Sequence, residues 1–333
     1  MTFETLPQLS RPHLADGGLE TDFIFNRGVD LPCFSSIVLL RDQAGRDMLD
    51  DYFNAYIGIA RRAGAGLVLE SPTWRASSDW AERIGLSQAE LEQLNAEAIS
   101  HLRDLRARND MPIVVSGCIG PRGDGYDPGE VMTVDEAHRY HARQAQILAA
   151  AGADLISGLT ITNVPEAIGI ARAAEDAGAA AVISFTVETD GRLPTGEQLG
   201  SAIAAVDEAT DGSVAYFMVN CAHPSHFADT LRTGESWTQR LGGVRANASR
   251  CSHAELEAMT DLDEGDPEEL GREYRMLREQ HPQLMVLGGC CGTDHRHITA
   301  IAEACLAAPL ADGENGSDGP PSRRTAPGTL SLA

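Results

Sequence analysis

No stretch of the chain comes near the ~18 uninterrupted apolar residues that a membrane-spanning helix needs, and a soluble protein is expected. The N-terminal MTFETLPQLSRPHLADGG has no basic segment leading into an apolar one, so no secretory signal is read there and the expected location is cytoplasmic. Positive charge is also scarce: 26 Lys and Arg against 49 Asp and Glu leave a net charge of −23. Phosphate binding needs a clustered basic face. With none in view, nucleic acid is excluded as a partner and a small-molecule ligand is expected. The seven cysteines, at 33, 118, 221, 251, 290, 291 and 305, are too few and too irregular for a disulfide framework in so long a chain. In a reducing compartment a subset of them reads instead as metal ligands or nucleophiles. A G-x-G-x-x-G after an early strand is absent as well, which counts against a dinucleotide-binding sheet.

What the chain does have is a repeated alternation. Short apolar or β-branched runs fall at 13–18 (HLADGG), 67–71 (LVLES), 112–117 (PIVVSG), 154–160 (DLISGLT), 180–187 (AAVISFTV), 214–220 (VAYFMVN), 242–247 (GGVRAN) and 283–289 (QLMVLGG). Between them, apolar residues spaced by three and four, as in AGRDMLDDYFNAYIGIARRAG and VDEAHRYHARQAQILAAAG, predict helices. RRAGAGLVLE, AAAGADLISG and EDAGAAAVISF repeat one device, in which a helix ends at glycine and a buried strand opens a few residues later. Eight strand–helix units predict a single-domain (β/α)8 TIM barrel rather than an open doubly wound sheet, which usually has about six strands. Residues 311–333, rich in Gly, Pro, Ser and Asp without periodicity, are expected to form a disordered tail.

In such a barrel, chemistry gathers at the carboxyl ends of the strands. Cys221 closes the sixth strand in FMVNCAHP, and Cys290 and Cys291 close the eighth in LGGCCGT. Adjacent cysteines seldom bond to each other, because a trans peptide does not supply the Cα separation and dihedral of the bridge. Strands six and eight have one neighbour between them around the rim, so the three sulfurs can converge on one point. Three thiolates with one position left open are the donor set of a catalytic zinc site rather than a closed structural one. Gly288, Gly289 and Gly292 permit the tight backbone this requires. Three unrelated core cysteines are the competing reading. Cys33, Cys251 and Cys305 are read as small buried packing residues, and so is Cys118, although it lies at a strand end. His223 and His226 follow Cys221 closely and are candidate substitute ligands, with solvated or hydrogen-bonded loop groups as the alternative. His295 and His297 are read as surface groups.

GGCCGT at the last strand, VNC at the sixth, ADGGLETDF at the first and GPRGDGY after the third resemble the homocysteine S-methyltransferase family of zinc-dependent homocysteine-binding barrels, over residues 12–307. The resemblance implies that Cys221, Cys290 and Cys291 hold Zn²⁺ and that the substrate thiol takes the fourth position. It implies that Asp16 meets the substrate's amino group, with the backbone of Gly17 and Gly18 close by. Ser71 and Thr73 in ESPTW stand where the family has a T-x-T element that helps to hold the carboxylate, and Thr160 and Asn220 complete the implied substrate contacts. The implied reaction moves a methyl group from a sulfonium donor, S-methylmethionine or S-adenosylmethionine, to the zinc-activated thiolate of homocysteine, giving methionine. The chemistry is self-consistent. A free thiol with a pKa of ~8.5 is mostly protonated at neutral pH, bound zinc deprotonates a coordinating thiol outright, and an anionic zinc–thiolate centre favours a cationic donor.

Two segments depart from the family pattern. Family members usually carry Glu before Thr at the end of strand four, a second acidic partner for the amino group, whereas DLISGLTITN has Leu159 before Thr160. Glu70 or Glu188, at other strand ends, are candidates to compensate. RANASRCSHAELE after strand seven also differs from the family's Pro-Asn-Ala-Gly type of segment. The alternatives are therefore the same zinc chemistry on a different thiol, a betaine or dimethylsulfoniopropionate type of donor, or a non-catalytic zinc-binding barrel whose metal is closed by a protein ligand such as His223. No folate- or cobalamin-binding domain is expected after the barrel, and nothing in the sequence sets an oligomeric state.

Overall fold

The computed structural model describes residues 6–232 and 234–306, so the expected tail at 311–333 lies outside the described residues. Eight strands, β1 (His13–Ala15), β2 (Gly66–Glu70), β3 (Ile113–Ile119), β4 (Leu155–Ile161), β5 (Ala180–Phe185), β6 (Val214–Asn220), β7 (Leu241–Ala246) and β8 (Val286–Gly289), form a closed barrel in chain order. Every pairing is parallel, and the barrel closes where His13 and Leu14 of β1 pair with Val286 and Leu287 of β8. Each strand coincides with one of the eight expected runs. The (β/α)8 architecture is thus the one the alternation predicts. The first strand is shorter than its run, because after Ala15 the chain turns over the barrel mouth.

The strands are followed in order by helices α1 (Gln43–Arg62), α2 (Gln88–Ala107), α3 (Val134–Ala150), α4 (Val164–Asp176), α5 (Leu199–Ala209), α6 (Pro224–Leu231), α7 (Pro267–Gln280) and α8 (His295–Leu306). Their starts are marked by side chains that take up orphan amide donors. Ser87 and Thr133 form full capping boxes with Glu90 and Glu136, and Asp42, Asn163 and Asp266 each accept from the amide three residues on. Three of the ends carry the glycine device read from the sequence: Gly64, Gly152 and Gly178 adopt φ values of 64°, 98° and 72°, a conformation that costs glycine little.

The strands are buried on both faces. Leu14, Leu67, Leu69, Val115, Ile156 and Leu287 pack outward against the helices. Ala15, Val68, Val114, Leu155, Val182, Met218 and Val286 fill the barrel interior. Alternation along each strand therefore decides which residues reach the mouth. Residues 19–41, between β1 and α1, run as short helical turns at Leu19–Thr21, Asp22–Asn26, Pro32–Phe34 and Ser36–Arg41, which no periodicity announced.

Two readings need correction here. Cys33 is exposed at a left-handed turn position (φ 53°) rather than packed in the core. His297 is fully buried rather than a surface group, because its ring is held between Asp294 (3.1 Å) and the carbonyl of Glu264 (2.8 Å). Among the described residues no helix is long and apolar enough to cross a membrane.

Candidate metal centre and substrate pocket

β6 and β8 flank β7, and their carboxyl ends bring the three cysteines together. The ladder extends one step past the strands: the Cys221 amide donates to the Arg245 carbonyl at 3.1 Å, and the Cys290 amide donates to that of Ala246 at 2.8 Å. Cys221 adopts φ 56°, rare for a residue with a side chain. Its carbonyl is held by Asn247 Nδ2 at 3.1 Å and His253 Nε2 at 2.8 Å. Gly292 at φ 79° turns the chain immediately after Cys291.

The Sγ atoms of Cys221 and Cys290 are 2.9 Å apart, those of Cys221 and Cys291 3.5 Å, and all three lie within 4.8 Å of one another. Tetrahedral zinc with bonds of ~2.3 Å places its sulfurs up to roughly 3.8 Å apart. Three soft donors at this spacing, Cys221 buried and Cys290 and Cys291 half-buried, fit such an ion, and among the described residues no other group of three His, Cys, Asp or Glu comes together in this way. The trio shares charge unevenly. Hydrogen bonds from Cys221 and Cys291 pull the Cys290 thiol well below its ordinary range, while the hydrogen bonds that Cys221 gives its neighbours push its own thiol up.

Neither histidine that follows Cys221 joins them. His223 Nδ1 caps α6 by accepting from the Ser225 amide at 3.2 Å, and its Nε2 lies 3.3 Å from Glu273, while His226 hydrogen-bonds the Arg250 carbonyl at 2.9 Å. The phenol of Tyr126 does approach the thiols, 3.3 Å from Cys221 Sγ and 3.5 Å from Cys291 Sγ, with its ring stacked on His253 at 3.9 Å. GPRGDGY drew notice in the sequence, but this role of its tyrosine did not. Glu188 pairs with His253 at 3.1 Å and does not line the pocket.

A cavity of about 350 Å³ opens from the thiols to the barrel mouth. Asp16 lines it, 2% exposed, with one carboxylate oxygen accepting from the Tyr52 hydroxyl at 3.1 Å. Its other oxygen accepts from Arg245 Nη2 at 2.6 Å, so Asp16 meets a cation of the protein itself. Arg245 Nε donates to the Gly289 carbonyl at 3.2 Å, and Nη1 stands 3.7 Å from Glu70, too far for a hydrogen bond. The other Glu70 oxygen accepts from Ser157 at 2.7 Å. Burial pushes the carboxyl groups of Asp16 and Glu70 up, with Arg245 opposing. Burial also works to discharge the guanidinium, but the two acids outweigh it and hold Arg245 protonated. Sequence reasoning marked RANAS as unusual without singling out this arginine.

Asn220 joins two strand ends. Its Oδ1 accepts from the Thr160 amide and its Nδ2 donates to Thr160 Oγ1, both at 2.8 Å, with Cys290 Sγ 3.7 Å from Nδ2. Thr160 is thereby kept at φ 63°. Leu159 lines the cavity as an apolar wall where the family pattern has a carboxylate. Ser71 also lines it, whereas Thr73 is fully buried behind it, with its hydroxyl bonded to the Cys118 carbonyl at 2.6 Å. Cys118 reaches the cavity as a buried thiol pushed well up by desolvation, apart from the trio.

Gly17 and Gly18 let the first loop lie against the last. A Cβ on Gly18 would stand 2.4 Å from the Cys290 carbonyl oxygen, and one on Gly17 2.7 Å from that of Thr293. Phe25, Phe34, Trp74 and Met259 line the cavity together with Glu20, Asp124, Asp261 and Arg75, which pairs with Asp124 at 2.7 Å. Burial pushes the Glu20 carboxyl up to about 7, against the hydrogen bond from Ser36.

Comparison with known proteins agrees with this geometry. The profile of the family described as Homocysteine S-methyltransferase matches residues 13–305. Homocysteine S-methyltransferase 4 of Zea mays is 26% identical, covering 87% of this chain and 88% of its own. Homocysteine S-methyltransferase YbgG of Bacillus subtilis is 25% identical, covering 86% and 92%. Among solved structures, the metallated form of the homocysteine methyltransferase MmuM from Escherichia coli superposes with a TM-score of 0.64 at 22% identity, covering 88% of this chain and 96% of that one. Its oxidized form gives 0.67, covering 90% and 98% at the same identity. At that identity the two structures speak for the fold.

Proposed function

The chain belongs to the homocysteine S-methyltransferase family, and from that membership and the meeting of three thiols we propose that it is a zinc-dependent thiol S-methyltransferase acting on homocysteine to give methionine. The convergence of Cys221, Cys290 and Cys291 on one point at the floor of the cavity carries this reading. Those three residues would hold Zn²⁺, which when bound would supply the acidity that keeps a coordinating thiol deprotonated.

The remaining work belongs to the chain's own side chains. Asn220 orients Cys290, and Tyr126 offers its phenol to Cys221 and Cys291. The backbone of Gly17 and Gly18 and the hydroxyl of Ser71 line the side of the cavity that faces the amino-acid end of the acceptor. Phe25, Phe34 and Trp74 line the cavity as apolar walls, and Glu20 and Asp261, with Asp124 taken up by Arg75 at 2.7 Å, are the carboxyl groups left to favour a cationic donor such as S-methylmethionine or S-adenosylmethionine. The donor's S–CH₃ bond breaks as the acceptor's S–CH₃ bond forms, and the donor leaves as a neutral thioether.

Zinc-loaded protein is expected to form methionine from homocysteine and a sulfonium donor, to lose the activity to a chelator, and to regain it with one zinc per chain. Metal-independent transfer, or no transfer with either sulfonium, overturns the reading. A second reading, with another acceptor thiol, is favoured by Leu159 and by the Arg245–Asp16 contact; transfer only from a betaine-type compound would replace the donor assignment.

A further inference from the structure

The acid that should receive an amino group is already engaged. Arg245 Nη2 lies 2.6 Å from Asp16, and the carboxylate that should share the task is replaced by the apolar Leu159. An incoming ammonium therefore meets a guanidinium at the place where two acids would have drawn it in. Arg245 has a further donor to give. It is 5% exposed, it lines the cavity, and its Nη1 has no hydrogen-bond partner, since Glu70 stands 3.7 Å away. A buried, charged donor without a hydrogen-bond acceptor, on a residue that lines the cavity, is costly until something accepts from it. A substrate carboxylate does so with a charge-assisted bond.

We propose that Arg245 is the specificity-determining residue of the acceptor site, and that the acceptor is a thiol recognised through a carboxylate on its own chain, its α-amino group being dispensable. This rests on the reading that a thiol is bound and methylated at the three cysteines. Two neighbouring acids do not forbid an added anion. Burial favours the protonated form of both Asp16 and Glu70, so either can take a proton when a third carboxylate enters. The proposal includes homocysteine, but predicts that the site is blind to the half of it that a two-acid pocket would read.

The test uses zinc-loaded, full-length protein and three thiols with the same reach: homocysteine, 4-mercaptobutanoate, which lacks the amino group, and 3-mercaptopropylamine, which lacks the carboxylate. The readouts are the sulfur count at the zinc edge and kcat/KM for methyl transfer. 4-Mercaptobutanoate is expected to match or exceed homocysteine, and 3-mercaptopropylamine to fall roughly 10–100-fold below both, chiefly in KM. Arg245→Met is expected to raise KM for the two carboxylates and leave the amine unchanged or improved, with Arg245→Lys between. The wild-type panel decides the matter even if the variants fold poorly. An amine that equals or beats the acids overturns the proposal while leaving methyl transfer intact. If no thiol adds a sulfur and none is methylated, the methyltransferase reading fails and takes the proposal with it.

Discussion

Replacing Asn220 by alanine separates metal binding from backbone bracing. Asn220 is 1% exposed, so water does not readily replace the groups removed. The Thr160 amide loses the acceptor it holds at 2.8 Å, and an orphaned buried donor costs ~1–3 kcal/mol. The bond to Thr160 Oγ1, also 2.8 Å, contributes a further ~0.5–1.5 kcal/mol. Relaxation of Thr160 from φ 63° recovers part of this, and the net loss is about 2–4 kcal/mol. In a domain of this size that lowers Tm by roughly 5–10 °C. Because Nδ2 also faces Cys290 Sγ, zinc affinity is expected to fall ~10–100-fold, as when other groups that orient a ligand are removed. Urea unfolding of the metal-free protein measures the first effect, and zinc competition with a chromophoric chelator the second. Asn220→Asp keeps an acceptor for the amide but turns an oxygen toward the sulfur, so it should spare more stability and harm zinc binding more. Unchanged zinc affinity in the alanine variant would refute the orienting role and leave Asn220 a brace for Thr160 alone.

Gly18→Ala forces a Cβ to 2.4 Å from the Cys290 carbonyl; zinc uptake is expected to drop sharply while circular dichroism still reports a barrel, and normal uptake would show that the first loop yields freely. Glu20, whose carboxyl is pushed from 4.5 up to about 7 by burial, binds its proton more tightly folded than unfolded. The metal-free protein should therefore lose stability as pH rises between those values, and Glu20→Gln should flatten that slope in urea midpoints taken across the range. His141 bonds Glu166 at 2.9 Å with both side chains buried. His141→Leu should cost about 1–3 kcal/mol by removing one of the carboxylate's three donors, the Arg122 amide (2.7 Å) and Asn163 Nδ2 (3.2 Å) remaining, and a loss that shrinks at low pH, where Glu166 is protonated, would confirm that cause. Tyr126→Phe removes the hydroxyl 3.3 Å from Cys221 Sγ and should weaken zinc roughly 10-fold; a variant that binds zinc as tightly as wild type would show the phenol to be a wall of the pocket only.

The strands and the thiol trio were legible for the same reason. A barrel strand is covered on both faces, so it reads as an apolar run, and barrel order then makes the ends of β6 and β8 near neighbours whatever the loops do. What such a run conceals is direction. Nothing in GGVRAN says that Val244 packs toward the helices and Arg245 turns into the mouth, and the partner that fixes Arg245, Asp16, lies 229 residues away. Thr73 shows the same limit: one position beyond the lining residue Pro72, its hydroxyl braces β2 to β3 from behind. The turns at 19–41 had no period to read. His297 was misjudged because a histidine near a helix start looks solvated until its partners, Asp294 and Glu264, are known.

The closing of the barrel between its first and last strands also sets an order of events. Cys221 and Cys290 are 69 residues apart, so at ~5–20 residues per second the second leaves the ribosome several seconds after the first. Until then the growing chain has an open sheet edge and one thiol of the three. The Gly18 amide donates to the Thr293 carbonyl, and that of Gly289 to the Asp16 carbonyl, only when β8 docks. Convergence of the three thiols and completion of the sheet therefore come together, and a chain stalled after β7 is unsealed and carries one thiol of the three. On the zinc reading proposed above, zinc content in a freshly made population is expected to count the molecules whose barrel has closed.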